Sequence, residues 1–132
     1  MSTFVNHPAI SPISSNHWLL SRLKHQMSKH PSLIIGVDFD NTIRSTDGTY
    51  YQDVINLVIK AYKQGHTICI WTANKFPLEV QADLALLGIH YDYFNDSPLP
   101  GWDSRKPHFN ILLDDIAGLN EAYNTLNHLL DI

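Results

Sequence analysis

The sequence predicts an α/β fold with a parallel sheet, and three observations predict it. Short apolar runs alternate along the chain with longer amphipathic segments. The apolar runs are continuous rather than alternating, as in strands covered on both faces. Two of the amphipathic segments stop at glycine, at Gly65 and Gly88. Strands that alternate with helices pair in parallel through crossovers, with helices on both faces. The expectation is a three-layer α/β/α, Rossmann-like sheet in a single core. The length, 132 residues, suits one such domain.

Each element has its own local signal. Residues 1–15 are rich in Ser and Pro and read as an arm. Asn16 is placed to cap a helix running to about His30, with Trp18, Leu19, Leu23 and Met27 on one side. Pro31 ends it. We therefore divide the chain into an N-terminal arm and helix, 1–31, and a main domain, 32–132. Ser32–Asp38 is a buried strand. Phe39–Tyr51 is polar, and its Asp47-Gly48 pair suits the tip of a tight hairpin. Gln52–Gln64 is a helix with Val54, Leu57, Val58 and Ala61 on one face. Thr67–Thr72 is a second buried strand. Pro77 sits at the first turn of a helix over Leu78–Leu87. Ile89–Phe94 is a short strand, Asn95–Arg105 a loop, Phe109–Asp114 the last strand and Leu119–Leu130 the last helix.

Composition narrows the function. Hydrophobic residues make up 44%, which fits a globular domain and excludes wholesale disorder. No apolar run approaches the roughly 20 residues that span a bilayer, and nothing resembles a secretory signal. The single cysteine, Cys69, excludes an intrachain disulfide and fits a cytoplasmic setting. Nine Lys+Arg against thirteen Asp+Glu leave no basic stripe for nucleic acid. The eight histidines are scattered, without the spacing of a zinc site.

Chemistry gathers at the strand ends, where doubly wound sheets bind ligands. The first strand ends in Asp38, Asp40 and Thr42. The second ends in Thr72, Ala73 and Asn74. The last ends in Asp114 and Asp115, with Lys106 shortly before it. Singly, each reads as a cap, a turn former or a solvated side chain. Together they bring four carboxylates to one edge. Carboxylates so crowded need protons or a cation among them. All-oxygen ligands favour a hard cation, and Mg²⁺ pairs with one or two carboxylates plus phosphate oxygens. Asp, Mg²⁺, Thr and Lys are the parts of a phosphoryl-transfer site.

These residues resemble the four motifs of the haloacid dehalogenase (HAD) superfamily of phosphohydrolases. Asp38, Asp40 and Thr42 match its Asp-x-Asp-x-Thr motif. Thr72 matches the second motif, Lys106 the third, and Asp114 with Asp115 the acidic pair of the fourth. The likeness runs from about Leu33 to Tyr123 and is to small, capless members. It implies that Asp38 is the nucleophile and Asp40 the general acid/base. It further implies that Thr72, the Ala73 N–H and Lys106 hold phosphate, with Thr42 and Asn74 as further contacts. Mg²⁺ would be held by Asp38, the backbone carbonyl of Asp40, and Asp114 or Asp115. Lys75 and Arg105 are other nearby cations. The nine residues Ile43–Tyr51 leave room for a flap only, and the 34 residues from Thr72 to Lys106 leave none for a cap domain.

The expected activity is a Mg²⁺-dependent phosphomonoester hydrolase working through an aspartyl-phosphate. Its substrate would be a nucleotide, a sugar phosphate or a phosphorylated end. Tyr50, Tyr51 and Trp102 could stack on it or simply pack. A receiver-type phosphoacceptor is the first alternative, but there the acidic pair comes first and the phosphoacceptor later. A silent binding module is the second. The face of the N-terminal helix could pack on the domain or join two copies into a homo-oligomer.

Overall fold

The computed structural model describes residues 3–11, 17–96 and 109–131. In chain order the elements are β1 (Phe4–Val5), α1 (His17–Lys29), β2 (Ile34–Val37), β3 (Tyr50–Tyr51), α2 (Gln52–Lys63), β4 (Thr67–Ile70), α3 (Pro77–Leu86), β5 (Tyr93–Phe94), β6 (Ile111–Leu113) and α4 (Leu119–Leu130). The fold is α/β, with parallel strands in two sheets. The main sheet has the order β5-β4-β2-β6, and β1 pairs with β3 in a second, two-stranded sheet. None of the helices described is long and apolar enough to cross a membrane.

Apolar strands make the sheet the centre of the core. Ile35 and Val37 of β2, Ile68 and Ile70 of β4, and Leu113 of β6 are fully buried. Ile35 stands between Ile68 and Ile111 in the register of its two neighbours. Gly36, in the middle of β2, is required by a close approach. A Cβ there would lie 2.5 Å from a ring carbon of Phe109. The helices cover the sheet through their apolar faces. α2 contributes Val54, Leu57, Val58 and Ala61, and α4 contributes Leu119, Leu126 and Leu130.

Both expected glycine stops form the same device. Gly65 adopts φ +91°, its N–H donates to Tyr62, and the His66 N–H reaches back to Ala61. Gly88 adopts φ +76°, with its N–H on Ala85 and the Ile89 N–H on Leu84. These paired bonds satisfy the last helical carbonyls.

Three parts of the organisation differ from the sequence reading. The first concerns α1. Leu20 and Leu23 are buried and Leu19 and Met27 half-buried, but Trp18 is 75% exposed. At about 100° per residue, Trp18 lies roughly 140° from Leu23 around the helix, too far to share its face. The second concerns the arm, which carries a strand of its own, β1, and the buried His7. The third concerns Ile89–Phe94, in which only Tyr93 and Phe94 pair with β4. The Asn16 cap lies outside the described residues.

Strand order positions the site. From β2 the chain moves to β4 and β5 on one side, then returns to lay β6 on the other. The order therefore reverses between β2 and β6. In open α/β sheets the crevice at that reversal, at the carboxyl ends of the strands, is where ligands bind.

Candidate functional site

Backbone hydrogen bonds continue past the strand ends. The Asp38 N–H donates to Leu113, the Trp71 N–H to Val37 and the Asn95 N–H to Ile70. The residues after β2, β4 and β5 are thus held along one edge.

Beyond Asp38 the chain turns back on itself. The Phe39 carbonyl accepts from the N–H groups of Thr42, Ile43 and Arg44. Asn41 sits in the left-handed region, φ +62°, where Asn is among the least strained of the non-glycine residues. Its N–H donates to Arg44 at 2.7 Å. A second turn spans Ser45–Gly48, closed by the Gly48 N–H on Ser45. Beyond it, an antiparallel bridge joins Arg44 to Tyr50. Tyr50 and Tyr51 are half-buried. Tyr50 stacks on Phe4 and carries the Arg44 guanidinium over its ring, and Tyr51 lies against His7. Both tyrosines pack within the molecule.

Three carboxylates meet at the reversal of the sheet. One oxygen from each of Asp38, Asp114 and Asp115 lies within 4.8 Å of the others. Thr42 links two of them, Asp38 and Asp115, and is fully buried. Its hydroxyl accepts the Asp115 N–H at 2.9 Å and stands 3.3 Å from Asp38 and 3.4 Å from Asp115. With one proton it can donate to only one of the two carboxylates at a time. Asp114 also closes its own turn, accepting the Ile116 N–H. The described ion pairs, Arg44–Asp83 and Lys60–Asp131, lie outside this group.

Crowding has an electrostatic consequence. Burial, then the charges of Asp114 and Asp115, push the Asp38 carboxyl up to about 7. The Phe39 N–H and the Thr42 hydroxyl pull the other way without offsetting it. A cation among the three oxygens would favour the charged form again. These three oxygens could hold a metal ion, and an all-oxygen donor set suits a hard cation.

Asp40 stands apart from the three. The Asn74 side-chain amide reaches both of its carboxylate oxygens, at 3.1 and 3.2 Å. Asn74 is itself fixed at both ends. Its N–H donates to the Thr72 hydroxyl, and its side-chain oxygen accepts the Phe76 N–H. The Thr72 N–H donates to the Asn95 side chain at 2.7 Å. Asp38, Trp71, Thr72, Ala73, Asn95 and Asp114 line an open depression of about 530 Å³.

The structure thus gathers Asp38, Thr42, Asp114 and Asp115 into one cluster. It joins Asp40, Asn74 and Thr72 into a second chain of hydrogen bonds, and Asp38, Thr72 and Ala73 share the depression. Lys75 is exposed. Lys106, Arg105 and Trp102 lie outside the described residues. Two polar contributors have no site role in the sequence reading, although the Phe94-Asn95 segment is part of the resemblance. Asn95 holds the Thr72 backbone; its position directly after the short apolar Tyr93–Phe94 was the available signal. His7 contacts the turn after Asp38, and nothing in its local sequence announces that. No protein-family model, curated protein or solved structure matches the chain.

Proposed function

We propose that this chain is a Mg²⁺-dependent phosphomonoester hydrolase of HAD type. The observation that supports the reading is the cluster of Asp38, Asp114 and Asp115 beside Thr72 and Ala73 at the reversal of the sheet. With it goes a finer reading of the fold, as a three-layer, Rossmann-like sheet with Ile43–Tyr51 as a hairpin flap and no cap domain. An open depression suits a capless enzyme.

In this reading a carboxylate oxygen of Asp38 attacks phosphorus, and the bond to the leaving-group oxygen breaks. Asp40 gives that oxygen a proton. It then takes one from the water that attacks the aspartyl-phosphate, and phosphate and the Asp38 carboxylate are released. The Asn74 amide turns the Asp40 carboxyl to its task. The Thr72 hydroxyl and the Ala73 N–H hold phosphate oxygens, and Lys106 adds positive charge. A Mg²⁺ held by Asp38, the Asp40 carbonyl, and Asp114 or Asp115 would supply charge to offset the phosphate and the clustered carboxylates. The substrate is a nucleotide, a sugar phosphate or a phosphorylated end, and the setting is cytoplasmic.

The test is release of p-nitrophenol from p-nitrophenyl phosphate, with Mg²⁺ and with EDTA, beside Asp38→Asn. Turnover that requires both Mg²⁺ and Asp38 is the expected result. Undiminished turnover by Asp38→Asn would remove it as nucleophile.

A further inference from the structure

We infer that His7 is a positioning residue for Asp40, and that residues 3–11 form a strap which holds the turn after Asp38 in its working shape. The inference rests on the phosphatase reading for its catalytic meaning, and on the hydrogen bonds of the strap for its structural one.

The His7 ring bridges two parts of the backbone. Its Nδ1 lies 3.0 Å from the Ala9 N–H and accepts from it. The remaining proton is therefore on Nε2, which donates to the Asn41 carbonyl at 2.7 Å. Asn41 directly follows Asp40 and occupies the left-handed region. The donor thus grips the turn at its least relaxed residue. The other end of Asp40 is held through its carboxylate by Asn74. Asp40 is fixed from two sides by groups that lie far apart in the chain.

His7 is itself firmly placed. It is 6% exposed. Its N–H donates to the Asp53 carboxylate in the first turn of α2, at 3.0 and 3.1 Å to the two oxygens. Its ring lies on Tyr51, with centroids 4.1 Å apart. The strap is pinned on both sides of it. Phe4 and Val5 pair with Tyr50 and Tyr51. Downstream, the Ser11 N–H donates to the Asn120 side chain, and the Asn124 side chain donates back to the Ser11 carbonyl. A buried imidazole held this rigidly against a catalytic turn constrains the turn, since a positioned donor loses little on being used.

The test uses two substitutions in the full-length protein. His7→Gln offers an amide N–H at about the reach of Nε2. His7→Asn offers an acceptor at about the reach of Nδ1 but falls short of the Asn41 carbonyl. The first readout is hydrolysis of p-nitrophenyl phosphate with Mg²⁺. We expect His7→Asn to lower kcat at least tenfold with KM and half-saturating Mg²⁺ changed less than threefold, and His7→Gln to recover most of kcat. The second readout is amide hydrogen exchange of Asn41, Thr42, Ile43 and Arg44, whose N–H groups are bonded within the turn. It should rise at least tenfold in His7→Asn, fall back in His7→Gln, and leave the β2 amides unmoved. Equal loss in both variants would mean packing alone and overturn the inference, as would unchanged exchange in His7→Asn. Should the wild-type chain hydrolyse nothing, the phosphatase reading fails and with it the catalytic role of His7. The exchange measurement still decides the strap.

Discussion

The Asn74 side chain donates to both carboxylate oxygens of Asp40, and its own backbone is anchored on Thr72. One amide therefore couples the ends of β2 and β4. Asn74→Leu removes the donor at similar size. We expect kcat to fall by about 10- to 100-fold, less than the roughly 10²–10⁴-fold of a fully lost acid/base group, because Asp40 itself remains. Mg²⁺ binding should persist, since Asp38, Asp114 and Asp115 are untouched. Steady-state kinetics with a Mg²⁺ titration of the variant checks both points.

The raised carboxyl of Asp38 makes stability depend on pH. Its folded value, about 7, lies above the ordinary value of 3.8. Between these values the folded state holds a proton that the unfolded chain releases. Stability from this group is fully present below about pH 4 and is lost as pH rises towards 7. Thermal unfolding in EDTA should therefore show Tm falling over that interval. Asp38→Asn should flatten the fall, and Mg²⁺ should raise Tm more at pH 8 than at pH 5. A Tm that climbs from pH 4 to 7 in EDTA, with Asp38→Asn unchanged, would contradict this.

Thr42 is a buried hydroxyl between two carboxylates, and it satisfies the Asp115 N–H. Thr42→Val keeps the shape and removes every polar contact of the side chain. Leaving that N–H without a partner should cost about 1–3 kcal/mol. Urea unfolding should show a lower midpoint at constant slope, and Mg²⁺ should bind more weakly because Asp115 loses its brace.

Gly36 lies beneath the Phe109 ring, and a Cβ there would come within 2.5 Å of it. Gly36→Ala should destabilise by about 1–3 kcal/mol through overpacking. Adding Phe109→Leu should return part of that loss. Additive losses in the double variant would show that the two positions do not compete for the same space.

Much of this architecture was legible because burial leaves a local signature. Ile34–Val37 and Ile68–Trp71 are unbroken apolar runs, and the polar residues after them mark the sheet edge. The glycine stops were legible from the same logic, since helical carbonyls need a left-handed residue after them. Trp18 misled because a large apolar residue one step off a helical face looks the same as one on it. Spacing alone does not divide the carboxylates, although the resemblance sets the Asp40 side chain apart from the metal ligands. The sequence reading brings four to one edge, whereas the structure gathers three and gives Asp40 to Asn74. Only the path of the chain after β4 decides that. β1 and His7 were illegible for a further reason. A two-residue strand carries no periodicity, and its partner, β3, lies far along the sequence.

The placement of β6 bears on when the site comes into being. Thr42 and Asp115 are 73 positions apart in the chain, yet they share a hydrogen bond. Asp114 and Asp115 reach Asp38 only after the last strand has docked beside β2. Distant pairing of this kind is slow, because the intervening loop must be closed before any contact rewards it. During synthesis, β2, β4 and β5 emerge long before the acidic pair does. A nascent or partly refolded chain thus has Asp38 without its companions, and any cation binding at this cluster would report on completed folding.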